Sequence, residues 1–196
     1  MSRCADTKKI QAFSLCTIRR MADISRAFID QSRRLLTGSY LPRIEKAVEG
    51  VSIENLWWRA NPQSNSIGNL LLHLNGNVRQ WIISGLGGDT DVRKRQVEFD
   101  TQTGTDAPAL LRELRATVEG AARILANVDP STLLERRRIQ SYDVTVMQAI
   151  YAVVEHFSMH TGQIILLAKT FKGDLGFYDL SGGEPRRTWE GGTAGH

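Results

Sequence analysis

Four histidines occur in this 196-residue sequence, and three of them lie in its two most apolar segments. His73 lies in the run Leu71–Leu74 of one predicted helix, and His156 and His160 lie four residues apart in another. Side chains at positions i and i+4 share one helix face, with Cβ atoms about 5–6 Å apart. Two such imidazoles can bind one metal ion, and a third from a facing helix gives the three protein ligands typical of catalytic zinc sites. The spacing therefore indicates a candidate metal site.

Polar side chains continue both helix faces that carry the histidines. Buried polar groups cost free energy unless they find partners, and a metal ion with its supporting residues would supply such partners. The candidates for supporting the ligands or binding substrate on these faces are Asn69, Asn77, Gln80 and Gln163. Arg93 and Glu98, in the loop after the helix that carries His73, are two further candidates for this role. A salt bridge that only anchors the loop is the simpler explanation of this pair.

An alternative interpretation of the same histidines involves no metal, because a histidine in an apolar helix is commonly a hydrogen-bonded core residue. The HExxH motif of zinc proteases is absent, since Phe157 follows His156, so no general base is supplied by that motif. Glu155 precedes His156 but points about 100° away around the helix, and we do not expect it to be a fourth ligand.

The elements that would position these side chains are amphipathic helices with apolar residues at intervals of three and four. They are predicted at residues 23–48, 67–86, 106–128 and 145–172. Ser66 and Thr145 are predicted to cap the second and the fourth. The fourth helix is apolar nearly all round, so it is either central or covered by a partner subunit. Together these features predict an all-α four-helix bundle.

The remaining segments are predicted to be connections or extensions. Residues 87–105 form a long polar connection, a short strand is expected near 138–144, and the charge run Arg136–Arg138 is expected to be a solvated edge. The chain divides into three predicted segments: a basic, flexible extension (1–21), a metal-binding four-helix bundle (22–173) and a Gly-rich, irregular tail (174–196).

The charge distribution argues against a nucleic-acid partner. The sequence pI is about 9.3, but the net charge of +4 lies entirely in the first 20 residues, and the other 176 residues have no net charge.

Both cysteines, Cys4 and Cys16, also lie in the first 20 residues, which excludes a cysteine nucleophile from the rest of the chain. No apolar run is long enough to span a membrane. The first 20 residues lack a secretory apolar core, so we expect a cytoplasmic protein, although they faintly resemble a transit peptide.

Two longer motifs resemble the DinB/YfiT-like metalloenzyme superfamily. Residues 65–82, NSIGNLLLHLNGNVRQWI, are similar to its second helix, and residues 155–164, EHFSMHTGQI, are similar to its fourth-helix HxxxH-x-GQ motif. Three shorter pieces look like its DUF1572-type subgroup: Asn61-Pro-x-x-Asn, Arg93-Lys-Arg-x-x-Glu98-Phe and Trp57-Trp58-Arg59. The resemblance covers roughly residues 22–180.

This resemblance implies a four-helix bundle that holds a divalent metal through His73, His156 and His160. Members of this superfamily are often homodimers, so the resemblance also implies a homodimer. Its characterised members include transferases and isomerases that use a low-molecular-weight thiol. We therefore expect a metal-dependent enzyme, a thiol-dependent S-transferase or a hydrolase, acting on a small-molecule substrate. Three imidazoles favour zinc or nickel, with iron or manganese as alternatives. The alternative function is a stress-related bundle that binds metal or another ligand without turnover.

Overall fold

A computed structural model describes residues 23–189 of the chain, and most of these residues are helical. Helix α1 covers residues 23–34, continues as a π-helix at Leu35–Tyr40 and ends as the α-helix Leu41–Val48. The other helices are α2 (Ile53–Trp57), α3 (Ile67–Val78, continued by a π-helix at Arg79–Ser84), α4 (Arg95–Asp100), α5 (Ala107–Ala126) and α6 (Val146–Lys172). A 3₁₀ turn lies at Pro130–Thr132, and the strands are β1 (Arg136–Ile139), β2 (Tyr142–Thr145), β3 (Tyr178–Asp179) and β4 (Arg186–Arg187).

Both predicted N-caps of the histidine-bearing helices are confirmed. The Ser66 hydroxyl accepts a hydrogen bond from the Asn69 backbone N–H, and the Asn69 side chain accepts one from the Ser66 backbone N–H. Thr145 and Gln148 form the same reciprocal pair at the start of α6. These caps satisfy backbone donors that the first helical turn leaves free, and they fix where α3 and α6 begin.

The core lies between the four longer helices, as the apolar periodicity predicts. Helix α3 packs against both α5 and α6, and α1 packs against α6. Phe157 and Ile150 of α6 are completely buried, as are Leu74 and Leu114 on the facing helices. The prediction of a mainly helical protein is confirmed. None of the described helices combines the length and the apolar character needed to cross a membrane.

Three connections differ from the sequence-based prediction. The segment predicted as a polar connection, 87–105, contains helix α4. The single strand expected near 138–144 is an antiparallel hairpin, in which Arg136 pairs with Thr145 and Ile139 with Tyr142. The tail predicted to be irregular contains the antiparallel pair β3–β4. In each case the structured piece is too short for hydrophobic periodicity to reveal it. The predicted extension at 1–21 lies outside the described residues.

The charge run on β1 is exposed, as predicted. Arg136 pairs with Asp143 across the hairpin at 2.8 Å, and Arg137 pairs with Glu135 at 2.8 Å. Such exposed pairs contribute little to stability because water and salt screen them.

The contact between α2 and α3 provides a test of the packing. A Cβ atom added at Gly68 would lie 2.7 Å from the buried ring of Trp57, whose indole N–H is also bonded to the Thr105 carbonyl. We expect Gly68→Ala to lower the free energy of unfolding by about 1–3 kcal/mol, as overpacked core substitutions do. The matched control is Gly120→Ala in α5, where the atom nearest to the new methyl group, Ile83 Cδ1, lies at an ordinary contact distance of 3.5 Å. Because alanine has a higher helix propensity than glycine, the free energy of unfolding of this control should exceed that of the wild-type protein by about 1 kcal/mol. Equal unfolding free energies for the two variants in denaturant titrations would contradict the Trp57 contact.

Candidate metal centre

The three histidines predicted to bind metal lie together, between α3 and α6. Potential ligand atoms from His73, His156 and His160 all lie within 4.8 Å of one another. The Nε2 atoms of His73 and His156 are 2.9 Å apart, and the His156 and His160 ring centroids are 4.3 Å apart. His73 and His160 are buried and His156 is half-buried. Small side-chain rotations would bring these nitrogens to the separations found around a single ion.

Glu98 orients the His73 ring. Its Oε2 lies 2.8 Å from His73 Nδ1, and both side chains are buried. An ionised carboxylate can only accept, so Nδ1 carries the proton and Nε2 keeps its lone pair directed at the other two histidines. Metal-binding histidines commonly have such a carboxylate partner, which fixes the tautomer and makes the ring a stronger ligand.

Arg93 holds Glu98 in place and also lies beside His73, with its Nη2 3.1 Å from His73 Nδ1. Its Nε donates to Glu98 Oε1 at 2.7 Å and its Nη2 to Oε2 at 2.8 Å, a bidentate arrangement. This pair lies against Gly76 of α3, where an added Cβ would be only 2.1 Å from Glu98 Oε1. Arg93 and Glu98 therefore form the predicted salt bridge, and the same bridge also contacts the histidine cluster.

Gln80 links this salt bridge to two further segments. Its Oε1 accepts from Arg93 Nη1 at 2.8 Å and also from the side-chain amide of Gln140, at the tip of the β1–β2 hairpin. Its Nε2 donates to Asp91 Oδ2 at 2.7 Å. Gln80 lies in the π-helical end of α3, a kind of irregular turn that is frequent at functional sites. It supports Arg93, which in turn contacts both Glu98 and His73.

His160 has a different partner. Its Nδ1 lies 2.7 Å from Gln163 Oε1, three residues along α6. An amide oxygen accepts, so this nitrogen carries the proton and Nε2 keeps the lone pair. Nε2 is buried and has no hydrogen-bond partner. A buried nitrogen acceptor without a donor is costly, and a bound cation would satisfy it.

The two asparagines predicted on the α3 face have different environments. Asn69 is fully buried, and its amide donates to the backbone carbonyls of Glu98 at 2.8 Å and Thr101 at 2.7 Å. It therefore attaches the segment that carries Glu98 to α3. Asn77 is half-buried, and its Oδ1 is a buried acceptor without a partner in the structure. That oxygen is an unsatisfied polar atom on the histidine-bearing face of α3, in addition to His160 Nε2 on α6.

One family matches the chain over most of its length. The sequence model of the family described as "Protein of unknown function (DUF1572)" matches residues 23–181. The chain belongs to the DUF1572 family. A comparison with curated protein sequences found no match. The matched residues include the three histidines and the Arg93–Glu98 pair, so the site lies within the family domain.

Charge and burial in the DUF1572 chain favour unprotonated ligands. Burial, together with the charges of His160, His73, Arg93 and Arg95, lowers the pKa of His156 to about 4. Burial also lowers the pKa of His160, and the Gln163 hydrogen bond offsets this only in part. Burial alone would raise the pKa of Glu98, but the hydrogen bonds and charges of Arg93 and His73 outweigh it and lower that pKa. Neutral imidazoles beside an ionised carboxylate are the protonation states that metal binding requires.

These pKa shifts predict an acid-sensitive fold for the metal-free DUF1572 protein. His156 takes up a proton near pH 6.5 in the unfolded chain but only near pH 4 in the folded one. The unfolded state therefore binds more protons between these values, and the free energy of unfolding falls as the pH decreases from about 6.5 to 4. Denaturant titrations across this range measure the slope. His156→Gln should flatten it, and an unchanged slope in that variant would contradict the assignment.

Sequence reasoning missed several residues of this site in the DUF1572 chain. It did not identify Asp91, Gln140 or Gly76, because their roles depend on where a loop and a hairpin return to α3. Arg95 and Phe99 were also missed, although their i,i+4 spacing was a usable signal. The Arg95 guanidinium lies 4.7 Å from the centre of the Phe99 ring, and that ring lies 4.8 Å from the His73 ring.

Proposed function

We propose that this DUF1572 protein is a divalent-metal-dependent enzyme with a DinB-like four-helix bundle, in which His73, His156 and His160 bind the ion. The observation that carries the proposal is the group of three neighbouring imidazoles with one buried, unsatisfied nitrogen, His160 Nε2. Glu98 and Gln163 set the tautomers of His73 and His160. Within residues 23–189 this group has three ligands and no fourth. Three protein ligands leave a position for water or substrate, which is typical of catalytic sites.

Neighbouring side chains set the protonation state of the proposed ligands through a chain of hydrogen bonds. Arg93 keeps Glu98 ionised, and Glu98 holds the proton on Nδ1 of His73. Gln163 does the same for His160. In the metal-free protein a proton on His156 Nε2 lies between His156 and His73, because two unprotonated nitrogens 2.9 Å apart repel. For Nε2 to bind the ion as part of a neutral imidazole, this proton would move to Nδ1 of the same ring. The low pKa of His156 shows that the ring carries no second proton near neutral pH.

A divalent ion bound there would supply Lewis acidity and would lower the pKa of a bound water or thiol. Three imidazoles favour zinc or nickel over iron or manganese. The sequence has cysteines only at positions 4 and 16, outside the described residues, so we propose that any thiol is a small-molecule cosubstrate. On this basis we infer a thiol-dependent S-transferase or a hydrolase that acts in the cytoplasm.

The metal content of the purified wild-type protein tests this proposal. Protein prepared without added metal should carry about one divalent ion per chain by elemental analysis. Removal of the ion by a chelator should lower the melting temperature, and equimolar zinc or nickel should restore it. Protein that contains no metal, and whose melting temperature does not respond to any divalent ion, would refute the proposal.

The rival function is metal binding without turnover. It predicts the same metal content, so a second measurement is needed. The metal-loaded protein can be incubated with bacillithiol, mycothiol, glutathione or coenzyme A and a panel of electrophiles, with the metal-free protein as the control. Metal-dependent loss of thiol supports the enzyme. Equal rates in the loaded and metal-free samples across the panel support the non-catalytic function.

We also propose that the chain forms a homodimer through one face of α6. Tyr151, Met159 and Leu166 on this face are 53–69% exposed, although they are large and apolar. Gly162 lies among them with nothing within 4 Å of its Cβ position, so a second helix can approach closely. Glu155 and Lys169 lie seven residues on either side of Gly162. If α6 helices from two subunits cross at Gly162 in antiparallel orientation, Glu155 of each copy therefore lies opposite Lys169 of the other.

Solution mass measurements test this interface. Wild-type protein should have the mass of a dimer in light scattering, and Leu166→Glu should shift it to a monomer. The matched control is Leu134→Glu, because Leu134 is exposed to the same degree but lies on the hairpin side of the molecule. A monomeric wild-type protein, or equal masses for the two variants, would contradict the interface.

A further inference from the structure

One exposed arginine near the histidine cluster, Arg95, has no ion-pair partner among the described residues. Arg95, the first residue of α4, has its guanidinium over the Phe99 ring, and the other contact of that ring is His73. In the part of the chain that the structure describes, no carboxylate lies within ion-pair distance of Arg95.

The proposed ligands would not balance the charge of a bound metal ion. Glu98 is the one described carboxylate bonded to a histidine of the cluster, and Arg93 neutralises it with two hydrogen bonds. The three imidazoles are neutral ligands, so they do not compensate the charge of a divalent ion. A bound ion and Arg95 would therefore leave a local excess of positive charge, which Asp91, bonded to Gln80 and to the Arg93 backbone N–H, offsets only in part. Such an excess attracts an anionic ligand and raises its association rate.

The chemistry of Arg95 narrows the class of anion. A guanidinium is planar and presents parallel N–H donors, which match the two oxygens of a carboxylate or a phosphate. Stacking on Phe99 restricts the side chain beforehand, so less conformational entropy is lost when it binds. Lys94, the adjacent residue, is also exposed but has no ring contact in the described structure.

We propose that Arg95 binds the carboxylate or phosphate group of a small-molecule substrate at the histidine site. This inference rests on the proposed metal site and adds the charge of its substrate. Arg95 is then a substrate-binding residue, while Arg93, with the same charge and two positions away, supports the ligand His73. The two arginines thus differ in role because one is neutralised by Glu98 and the other is not.

Anion titrations of the cobalt-loaded protein test this assignment. Cobalt(II) reports changes in its ligands through its visible absorption, so the readout does not depend on activity. Acetate and inorganic phosphate are titrated separately, which distinguishes the two anion classes. We expect saturable binding of at least one of them, and Arg95→Gln should weaken that binding about tenfold, the effect of losing a charge-assisted hydrogen bond. Lys94→Gln removes the same charge one residue away and should change the affinity less than twofold.

The outcomes separate the inference from the proposed function. A wild-type protein that takes up no cobalt refutes the metal site and this inference together. Cobalt uptake without saturable binding of either anion refutes only the anionic substrate. Equal effects of Arg95→Gln and Lys94→Gln refute a specific role for Arg95 in favour of general surface charge. Loss of cobalt uptake in Arg95→Gln also refutes it, because Arg95 would then support the ligands rather than the substrate.

Discussion

Replacing His156 by alanine is expected to remove nearly all bound metal from the protein, and His73→Ala is expected to do the same. Each change removes one of the three proposed ligands, whose potential ligand atoms lie within 4.8 Å of one another. Loss of a residue that only supports a ligand typically costs about 10–100-fold in metal affinity, so loss of a ligand should cost more than about 100-fold. Elemental analysis and competition with a chromophoric chelator measure the effect.

His156→Ala gives the clearer result of the two because His156 is half-buried, so its removal leaves only a small cavity. The matched control is Glu155→Ala, next to it on α6 but exposed to solvent, which should keep the wild-type metal content. Thermal unfolding of the metal-free proteins checks that each variant folds. Full metal occupancy in folded His73→Ala and His156→Ala would overturn the assignment of the ligands.

Glu98→Leu is expected to lower the free energy of unfolding by about 3–5 kcal/mol and to weaken metal binding as well. The side chains of Arg93 and Glu98 are only 6% and 10% exposed, so the substitution leaves a buried guanidinium without its carboxylate. His73 Nδ1 loses its acceptor at the same time, and metal affinity should fall about 10–100-fold. Denaturant titration of the metal-free protein measures the first effect, and chelator competition measures the second.

The double variant Arg93→Leu/Glu98→Leu separates these two effects. Replacement of a whole buried ion pair by apolar residues is often close to neutral, so most of the stability should return. Metal affinity should stay low, because the carboxylate beside His73 is still missing. Recovery of wild-type metal affinity in the double variant would show that Glu98 matters only as the partner of Arg93.

The parts of the fold that short-range rules determine were predictable from the sequence. Ser66 and Thr145 bond to residues three positions along the chain, so the starts of α3 and α6 could be recognised locally. The i,i+4 spacing of His156 and His160 likewise predicts a shared helix face without any tertiary information. Local rules therefore predicted the helices and two of the three candidate ligands as a pair.

The supporting contacts could not be predicted in the same way. Glu98 lies 25 residues from His73, and its approach depends on the path of the intervening loop. Gln140 lies 60 residues from Gln80 and adopts a positive φ of 56° at the hairpin tip. No periodicity encodes such contacts, because they result from packing between separate elements. The sequence named Arg93 and Glu98 as a pair but did not show that the pair contacts His73.

The segment that carries Glu98 differs from α6 in how it is held. Helix α4 has six residues, too few to be stable alone, and its attachments include the Asn69 and Arg59 side chains bonded to its backbone carbonyls. His156 and His160 lie in the interior of a 27-residue helix. Local opening therefore costs less at α4, and it frees His73 from its carboxylate while α6 stays folded. The lifetime of a bound ion would then depend on a few side-chain bonds to one short helix rather than on unfolding of the whole domain.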